Sequence, residues 1–384
     1  MYICKEIGAM KAHIYNNSKF FFITVTAGIN QVNDYETILN IYTTVADYCK
    51  EHKGVILHER IFAASSLYEN VTEARKAALG EKHQAAYTYI HSQTLFEGCI
   101  AGISFQGIYC SENCQEHIFL NGKTVGNKCK DKDMDILTLH ELHSADPSLC
   151  PYEQTKDVFY SINEIVKKNN FNFKNIGRTW IYLENILNQY EEFNKARNEV
   201  FYELGLLQKD NERYEQIYMP ASTGINGGNG YSTNGIIDVL AFKPKNENIK
   251  IYGDNGTLQN SAFRYGSAFS RSFILEDEIR KEKIIYLSGT AAIDKTGQTV
   301  FEKDIDKQID TTFQVIDGLI KNHKLSLKNL CEGTVFLKRR DYLENFLSFQ
   351  NRKGLTELPL IITIADVCRD NLLFEMDSAF IIGD

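Results

Sequence analysis

The feature of this sequence that most constrains its fold is a repeated order of strands and helices. Near the C-terminal end, an apolar run over residues 284–290 predicts a buried strand that ends at a Ser-Gly pair. Residues 294–297 predict a turn, and from Gln308 onward apolar side chains recur at the three-to-four spacing of a helix. The rest of this copy is predicted as strand 329–338, helix 341–349, strand 358–367 and strand 372–382.

The same order recurs roughly 150 residues earlier in the chain. The predicted middle copy consists of a helix from Gln154, strand 177–183, a helix from Tyr190, strand 220–225 and strand 235–242. A fainter first copy consists of strand 21–25, helix 35–48, strand 55–63, helix 71–79 and strand 98–107. A repeated order of this kind indicates tandem copies of one structural unit.

Each copy has a helical face that must be covered, and a sheet of about four to six strands with helices on one side covers it. The sequence therefore predicts an α+β fold of three tandem units that close into a pseudo-trimer within one chain. The predicted boundaries are 1–115, 116–258 and 259–384. With 5 prolines and no Ser-rich or Gly-rich tract, the sequence offers no long flexible linker between these units.

Charge and cysteine usage argue against several classes of protein. The formal net charge is −8 without a basic block, whereas a nucleic-acid partner requires a positive stripe. No apolar run reaches the ~18 residues of a membrane helix, and the first residues lack a signal-peptide layout, so we expect no membrane partner. Nine cysteines without a framework pattern are typical of reduced thiols, which predicts a cytoplasmic protein.

The densest cysteine group offers the donor types of a metal site. Cys110, Cys114 and Cys129 lie near His117 along the chain. Their spacing does not match a zinc knuckle, and we interpret the residues between them as a surface loop. The sequence therefore predicts neither a metal nor an organic cofactor.

Residues 286–377 carry motifs that resemble the Rid (YjgF-like) superfamily. These are Ser288-Gly289 at a strand end, Gln308 at a helix start, the strand 334–337 and the closing run 375–379, Glu-Met-Asp-Ser-Ala. Rid proteins are homotrimers of chorismate-mutase-like units with sites between subunits, so the resemblance implies a site between the last two fused units. Imine-hydrolysing members carry an arginine at the positions of Leu360 and Ala221, and this departure counts against simple imine or enamine deamination.

A second resemblance extends from Gly177 to the C-terminus and depends on six strings in order. They are GRTWIYL, FNKARN, PASTGIN, YGSAFSRS, YLSGTAAID and DVCRDNLLFE. Together they resemble the chorismatase branch of this superfamily, whose members split the enolpyruvyl ether of chorismate into pyruvate and a hydroxybenzoate or dihydroxycyclohexadienoate. The resemblance implies a cytoplasmic hydrolase or lyase of secondary metabolism that acts on a small chorismate-like anion.

Cleaving such a dianion requires groups that hold two carboxylates. Arginine suits this task because its planar fork pairs with a carboxylate through two hydrogen bonds. The candidates inside the six strings are Arg178, Arg197, Arg271 and Arg369. Arg178 and Arg197 remain open to a second interpretation as structural ion pairs.

The cleavage also requires an acid that protonates the methylene carbon, and Glu375 is the candidate. It lies in the apolar run 372–376, where burial raises the pKa of a carboxyl group and keeps it protonated near neutrality. The resemblance places the chorismatase acid at this position. It also associates a cysteine at Cys368 with the subgroup that forms 3-hydroxybenzoate, and the neighbouring Arg369 favours a thiolate there or orients the thiol.

Small polar residues complete the predicted site. Ser222, Thr223 and Gly224 offer hydroxyl and backbone N–H donors, and Tyr182 and Tyr265 offer further hydroxyl contacts. The stretch 227–230 is interpreted as an anion-binding nest or a mobile flap, and 288–290 as a second donor turn.

Two other functions remain open at this stage. One is a Rid-type hydrolase that acts on an imine or enamine of another small carboxylate, with Arg271 or Arg369 replacing the missing arginine. The other is a non-catalytic metabolite-binding protein. A serine hydrolase and a nucleotide-binding protein are excluded, because the chain has neither a nucleophile elbow nor a glycine fingerprint after a strand. We expect a monomer or a weak homo-oligomer.

Overall fold

The computed structural model describes residues 1–8, 10–27, 34–80, 84–95, 98–110, 114–207 and 218–383. The N-terminal unit is a sheet with two helices on one face. Its elements are β1 (Tyr2–Ile7), β2 (Met10–Asn16), β3 (Phe20–Thr26), α1 (Tyr35–His52), β4 (Gly54–Ala63), α2 (Tyr68–Leu79), β5 (Thr88–His91) and β6 (Ile100–Tyr109).

The middle unit repeats this order of elements. They are β7 (Gln115–Leu120), β8 (Lys123–Lys130), β9 (Met134–Leu142), α3 (Pro151–Lys168), β10 (Ile176–Leu183), α4 (Ile186–Glu203), β11 (Ala221–Asn226) and β12 (Gly235–Pro244).

The C-terminal unit repeats the same order of elements. Its elements are β13 (Ile249–Asp254), β14 (Ser272–Asp277), β15 (Glu282–Ala291), α5 (Ile305–Lys321), β16 (Leu330–Leu337), α6 (Leu343–Lys353), β17 (Leu360–Ile364) and β18 (Phe374–Ile382).

Helices α2, α3, α4 and α5 each begin about a turn earlier than the apolar pattern predicts, and two of these starts have a local signal in the sequence. Helix α5 begins at Ile305, because the side chain of Asp304 accepts a hydrogen bond from the backbone N–H of Lys307 and caps the first turn. Helix α3 begins at Pro151, a residue whose fixed φ and missing N–H suit a first helical position. Among the described residues, no helix is both long enough and apolar enough to cross a membrane.

The three sheets share one topology. Each has six strands, and in each the last strand of the unit lies between the third and the fourth. The fourth and fifth strands of each unit pair in parallel, and their neighbours pair antiparallel. A bulge also recurs before His58, Arg178 and Glu332. Shared strand order and a shared bulge show that the three units are copies of one fold.

The sheets place the unit boundaries slightly differently from the sequence. Strand β13 pairs antiparallel with β14 and so belongs to the third sheet, although the predicted boundary at 258 assigns it to the middle unit. The third sheet therefore begins at Ile249. The second sheet begins at Gln115, next to the other predicted boundary.

Strand alternation builds two kinds of core. In β18, Phe374, Met376 and Phe380 pack under the helices of their own unit, whereas Ala379 and Ile381 face a central core that all three units share. Rings from each unit, Phe22, Phe242 and Tyr286, meet in that centre. The odd-numbered residues of β18, which alternate with these helix-side residues, therefore point to the pseudo-threefold axis.

The cysteine region differs from the prediction in two respects. Cys110 and Cys114 form a disulfide, so the expectation that all thiols are reduced is wrong for this pair. The Sγ of buried Cys129 lies 3.1 Å from that of Cys114. The predicted surface loop is also wrong, because β7 and β8 pair as a hairpin there and His117 contacts Asn127 instead of the sulfur atoms.

Candidate active site

The middle and C-terminal units meet along an edge strand. The backbone N–H of Ser222 in β11 donates to the hydroxyl of Ser288 at 2.7 Å, and that hydroxyl donates to the carbonyl oxygen of Ser270 at 2.6 Å. The N–H of Ser270 in turn donates to the carbonyl oxygen of Pro220 at 3.1 Å. These contacts fix the relative position of the two units along the seam.

A cavity opens beside this seam and encloses about 480 Å³, counting the part that is open to solvent. Eight of the eleven predicted site residues line it, although they come from distant parts of the sequence. These eight are Arg197, Ser222, Gly224, Tyr265, Arg271, Cys368, Arg369 and Glu375. The other lining residues are Tyr190, Ser267, Phe269, Gly289, Ala291 and Ile293.

Glu375 reaches the cavity from the closing strand of the C-terminal unit. Its neighbours Phe374 and Met376 pack under the helices, so alternation turns Glu375 toward the centre of the molecule. Its carboxyl lies over Gly289, in the stretch of β15 where the pairing with β18 shifts register. The bulge and the missing side chain at Gly289 together make room for this carboxyl group.

The environment of Glu375 favours the protonated form. The residue is 4% exposed, and burial raises the pKa of its carboxyl to about 8, with a further contribution from the negative charge of Asp377. The guanidinium groups of Arg178 and Arg271 act in the opposite direction. A carboxyl group with this pKa carries a proton at neutral pH and can donate it to a bound molecule.

Two guanidinium groups flank the cavity on the side of Tyr265. Arg271, which is 3% exposed, donates to the carbonyl oxygen of Asn260 at 3.1 and 3.2 Å and to the hydroxyl of Tyr265 at 2.5 Å. Arg369 donates to the carbonyl oxygen of Gly297 at 2.6 Å and lies over the ring of Tyr265. These neutral partners orient both guanidinium groups without neutralising them.

A third guanidinium group comes from helix α4. Arg197 donates to the side-chain oxygen of Asn194 at 2.5 Å and packs between the rings of Phe193 and Phe269. Burial lowers the pKa of this guanidinium, although it remains charged at neutral pH. The Nε of Arg197 is buried and has no hydrogen-bond partner.

Throughout the described ranges, Arg197, Arg271 and Arg369 form no ion pair with a carboxylate. Buried charges are normally paired, because desolvating a charge is costly. Three unneutralised cations beside one protonated acid give this cavity a positive field. The arrangement is suited to a small molecule that carries more than one negative charge.

Cys368 lines the cavity as a neutral thiol. Burial is the main cause that raises the pKa of this thiol to about 12, and the negative charge of Glu375 is the second cause of this rise. Arg369 acts against this rise without overcoming it, so the expected thiolate is wrong at this position. Tyr190 lies between Cys368 and Arg197 and interacts with both.

The predicted donor stretch 222–224 is divided between the two faces of β11. Ser222 and Gly224 line the cavity, whereas Thr223 accepts a hydrogen bond from Nη2 of Arg178 at 2.5 Å. Alternation along the strand explains this division. Thr223 therefore does not line the cavity and contacts Arg178 instead.

Arg178 and Tyr182 lie outside the cavity, in a fully buried charge cluster on the pseudo-threefold axis. Arg178 donates to Asp377 Oδ2 at 3.2 Å. Arg60 of the N-terminal unit pairs with Glu332 and donates at 3.3 Å to both Asp377 Oδ2 and the hydroxyl of Tyr182. Of the two interpretations that the sequence left open for Arg178, the structure shows the ion pair, which is formed with Asp377. This pair lies close to Glu375, on the side away from the cavity.

The glycine-rich stretch 227–230 lies away from this cavity. The N–H of Gly228 donates to the carbonyl oxygen of His91 at 3.1 Å, and the N–H of His91 donates back at the same distance. The interpretation as an anion nest or mobile flap is wrong, because this loop is an antiparallel bridge between the N-terminal and middle units.

The other units do not carry the acid at the equivalent position. Glu375 is the partner of Phe336, the penultimate residue of β16. The partner of Tyr182, at the same place in β10, is Ile236, and the partner of Phe62 in β4 is Gly102. Of the three pseudo-equivalent positions, one therefore has a carboxyl group.

The interface between the N-terminal and middle units has its own buried polar group. His58 Nε2 lies 3.2 Å from Asp238 Oδ2, and the hydroxyl of Thr88 donates to the same oxygen at 2.6 Å and lies 3.1 Å from His140 Nδ1. By donor type these side chains suit a metal ion. However, His58 is equivalent in position to Arg178, and Asp238 is equivalent to Asp377. Because Arg178 and Asp377 form an ion pair between the middle and C-terminal units, the contact of His58 with Asp238 is the equivalent pair between the N-terminal and middle units.

Sequence reasoning missed two cavity residues that carry part of its geometry. Tyr190 precedes Arg197 by seven residues, so both lie on one face of α4, and this spacing is a signal that was present in the sequence. Phe269 lies within 6 Å of both Arg197 and Arg271, at 5.8 and 5.5 Å. Phe269 lies between Tyr265 and Arg271 in the string YGSAFSRS, in which those two residues alone are predicted site residues.

Comparison with solved structures gives a match over most of the chain. A chorismatase crystal structure covers 85% of this chain, which in turn spans 93% of that chain, with a TM-score of 0.61 and 15% sequence identity. The chain has the chorismatase fold. The predicted α+β fold of three tandem units that form a pseudo-trimer within one chain is confirmed.

Two further solved structures each match about a third of this chain. A putative endoribonuclease L-PSP from Entamoeba histolytica matches 35% of this chain and 100% of its own, with 17% identity and a TM-score of 0.30. The Rid family protein YyfA from Yersinia pestis matches 30% and 91%, with 19% identity and a TM-score of 0.26. No family model and no curated protein matches the sequence.

Proposed function

We propose that this chain cleaves the enolpyruvyl ether of chorismate and releases pyruvate. The observation that carries the proposal is the protonated carboxyl of Glu375. It shares one cavity with three guanidinium groups that form no ion pair with any carboxylate in the described part of the chain. This combination appears at one seam of a chain with the chorismatase fold. The reaction needs no metal or organic cofactor.

The charges of the substrate and the cavity complement each other. Chorismate carries two carboxylates, one on the ring and one on the enolpyruvyl group. Arg197 comes from helix α4 of the middle unit, and Arg271 and Arg369 come from the C-terminal unit, so the cavity offers cations from both units. Charge-assisted hydrogen bonds from both units hold a dianion in one orientation.

In the proposed reaction, Glu375 transfers its proton to the methylene carbon of the enol ether. The resulting oxocarbenium ion collapses in one of two ways. Addition of water gives pyruvate and a dihydroxycyclohexadienoate, and this route consumes one water. Attack by the neighbouring ring hydroxyl gives a cyclic ketal instead. Loss of the proton on the ether-bearing ring carbon then breaks the ring C–O bond of the former hydroxyl and makes the ring aromatic, and the remaining hemiketal breaks its bond to the phenolic oxygen, which gives pyruvate and 3-hydroxybenzoate without net consumption of water. In both routes Glu375 regains a proton before the next turnover.

Cys368 is the position that we propose to influence the choice between these products. Its thiol is neutral and lies in the same cavity as Glu375. A cysteine here resembles the chorismatases that form 3-hydroxybenzoate. Substitution by alanine enlarges this wall of the cavity, and product analysis by chromatography of Cys368→Ala against the unmodified protein measures the effect on the product ratio.

The test is incubation of the purified protein with chorismate, with pyruvate release followed by a coupled lactate dehydrogenase assay. We expect release by the unmodified protein and a loss of at least about a hundredfold in Glu375→Gln, the lower end of general-acid catalysis. Glu141→Gln is the matched control. Glu141 is a half-buried glutamate whose carboxyl also has a raised pKa, about 7, but it lies at the other interface and contacts Tyr231.

The same assay separates the alternatives. Ammonia release from imino acids generated in solution, with no pyruvate from chorismate, would indicate a Rid-type imine hydrolase in the same cavity. Thermal stabilisation by chorismate without turnover would indicate a metabolite-binding protein. Either result overturns the proposed ether cleavage.

A further inference from the structure

Two carboxyl groups project from one face of the closing strand β18. Glu375 and Asp377 are two residues apart, so alternation directs both toward the pseudo-threefold axis, at a spacing of about 6 to 7 Å along the strand. Both are almost fully buried, at 4% and 1% exposure. Two buried carboxyl groups this close do not both ionise readily, because like charges disfavour each other.

The contacts of the two side chains assign the negative charge to Asp377. Its Oδ2 accepts hydrogen bonds from Arg60 of the N-terminal unit at 3.3 Å and from Arg178 of the middle unit at 3.2 Å. Glu332 also pairs with Arg60 and completes a cluster of two cations and two anions. Glu375 lies on the cavity side of this cluster, against Gly289.

We propose that Asp377 is a positioning residue that keeps the carboxyl of Glu375 protonated. Its charge, held between guanidinium groups of the other two units, makes ionisation of Glu375 unfavourable. Asp377 touches no cavity space, since it does not line the cavity. All three units thereby contribute to the charge state of one acid, and the N-terminal unit does so through Arg60. This inference rests on the proposed role of Glu375.

The sign of the effect follows from the groups that face Glu375. Asp377 raises the pKa of its carboxyl, whereas Arg178 and Arg271 lower it. The other ionisable side chains around the cavity are Arg197, Arg369, Cys368, Tyr190 and Tyr265. Of these, the cations oppose protonation, and the neutral thiol and phenols exert no charge below about pH 9. Asp377 is thus the ionised group that favours the proton.

Asp377→Asn removes the charge and keeps the shape of the side chain. The pKa of Glu375 should fall, because the repulsion is lost and Arg178 loses an anionic partner. We expect the alkaline limb of the kcat/KM profile for chorismate to move down by at least one pH unit from about pH 8, so that kcat/KM at pH 8 falls about fivefold or more. Arg178→Met should move the same limb upward, because it removes a cation that opposes protonation.

Asp238→Asn is the matched control. Asp238 holds the equivalent position in the middle unit and is equally buried, but it faces His58 and Thr88. We expect the alkaline limb of the kcat/KM profile of Asp238→Asn to coincide with that of the unmodified protein. Circular dichroism and thermal unfolding should confirm that each variant is folded. An unchanged limb in both Asp377→Asn and Arg178→Met, or equal shifts in Asp377→Asn and Asp238→Asn, would overturn the inference.

A second readout does not depend on turnover. Infrared difference spectra against Glu375→Gln report the protonated carboxyl band of Glu375 directly, and its midpoint should fall in Asp377→Asn. If chorismate is not cleaved but this midpoint still falls, the proposed function fails and the role of Asp377 stands. If chorismate is cleaved and the midpoint does not move, the inference fails and the proposed function stands.

Discussion

A β-carbon on residue 289 would lie 2.0 Å from Oε1 of Glu375, so the glycine and the buried acid occupy one space. Gly289 lies where β15 bulges against β18, and its φ is not in the left-handed region. Its lack of a side chain therefore serves the close approach of a carboxyl group and not the conformation of the backbone.

Gly289→Ala should displace the carboxyl of Glu375 while the fold remains intact. A methyl group in this space forces the glutamate out of its position, at a cost of about 1–3 kcal/mol typical of overpacking. We expect kcat for pyruvate release to fall at least about tenfold, because a displaced acid transfers its proton poorly. Gly230→Ala is the control, since a β-carbon there meets nothing within 4 Å, and equal activity of the two variants would contradict the prediction.

The raised pKa of Glu375 predicts a specific dependence of stability on pH. The folded protein holds this proton up to a pKa of about 8, whereas an unfolded glutamate releases it near its ordinary value of about 4.5. The contribution of the Glu375 carboxyl to the free energy of unfolding is therefore fully present below about pH 4.5 and is lost as the pH rises to about 8. Relative to the unmodified protein, Glu375→Gln should gain a few kcal/mol of unfolding free energy between pH 5 and 9, measured by urea denaturation.

Glu141→Gln provides the comparison for this window. The pKa of Glu141 is raised to about 7, so the relative gain of its variant should stop near that pH. If the difference in unfolding free energy between Glu375→Gln and the unmodified protein does not change with pH across this range, Glu375 ionises freely in the folded state.

Arg271 should affect both substrate binding and the acid. Arg271→Met removes a charge-assisted contact worth about 1.5–3 kcal/mol, which corresponds to a rise in KM for chorismate of roughly ten- to a hundredfold. It also removes a cation that lowers the pKa of Glu375, so the alkaline limb of the pH profile should move upward. Arg339→Met is the control, because Arg339 is exposed and pairs with Asp341 away from the cavity. A changed limb without a changed KM would contradict the binding role.

Sequence periodicity predicted the three units well, because strand alternation and helical spacing are local properties. The same alternation places Glu375 and Tyr182 on the inner faces of their sheets in the structure. It does not say whether an inner face meets the cavity or the pseudo-threefold axis, and Tyr182 meets the axis. That difference depends on partners such as Arg60, which is 272 and 317 residues away from Glu332 and Asp377 along the chain.

The ion pair between Arg60 and Glu332 should stabilise the fold mainly because each of these buried charges neutralises the other. Both side chains are almost fully buried, and Arg60 also lies over the rings of Trp180 and Phe62. Arg60→Met leaves Glu332 as an uncompensated buried carboxylate, which typically costs about 3–5 kcal/mol. Glu332→Met in addition removes that unpaired charge while Arg178 and Asp377 stay paired.

We therefore expect the double variant Arg60→Met/Glu332→Met to unfold at a higher urea concentration than Arg60→Met alone. Lys130→Met is the control for an exposed pair, because Lys130 and Glu116 are both about half exposed and their pairing contributes at most about 1 kcal/mol. Because buried charges cost more than buried methionine side chains, the second substitution should restore stability. A double variant less stable than the single one would show that the pair stabilises the junction of the three units through geometry and not through charge balance.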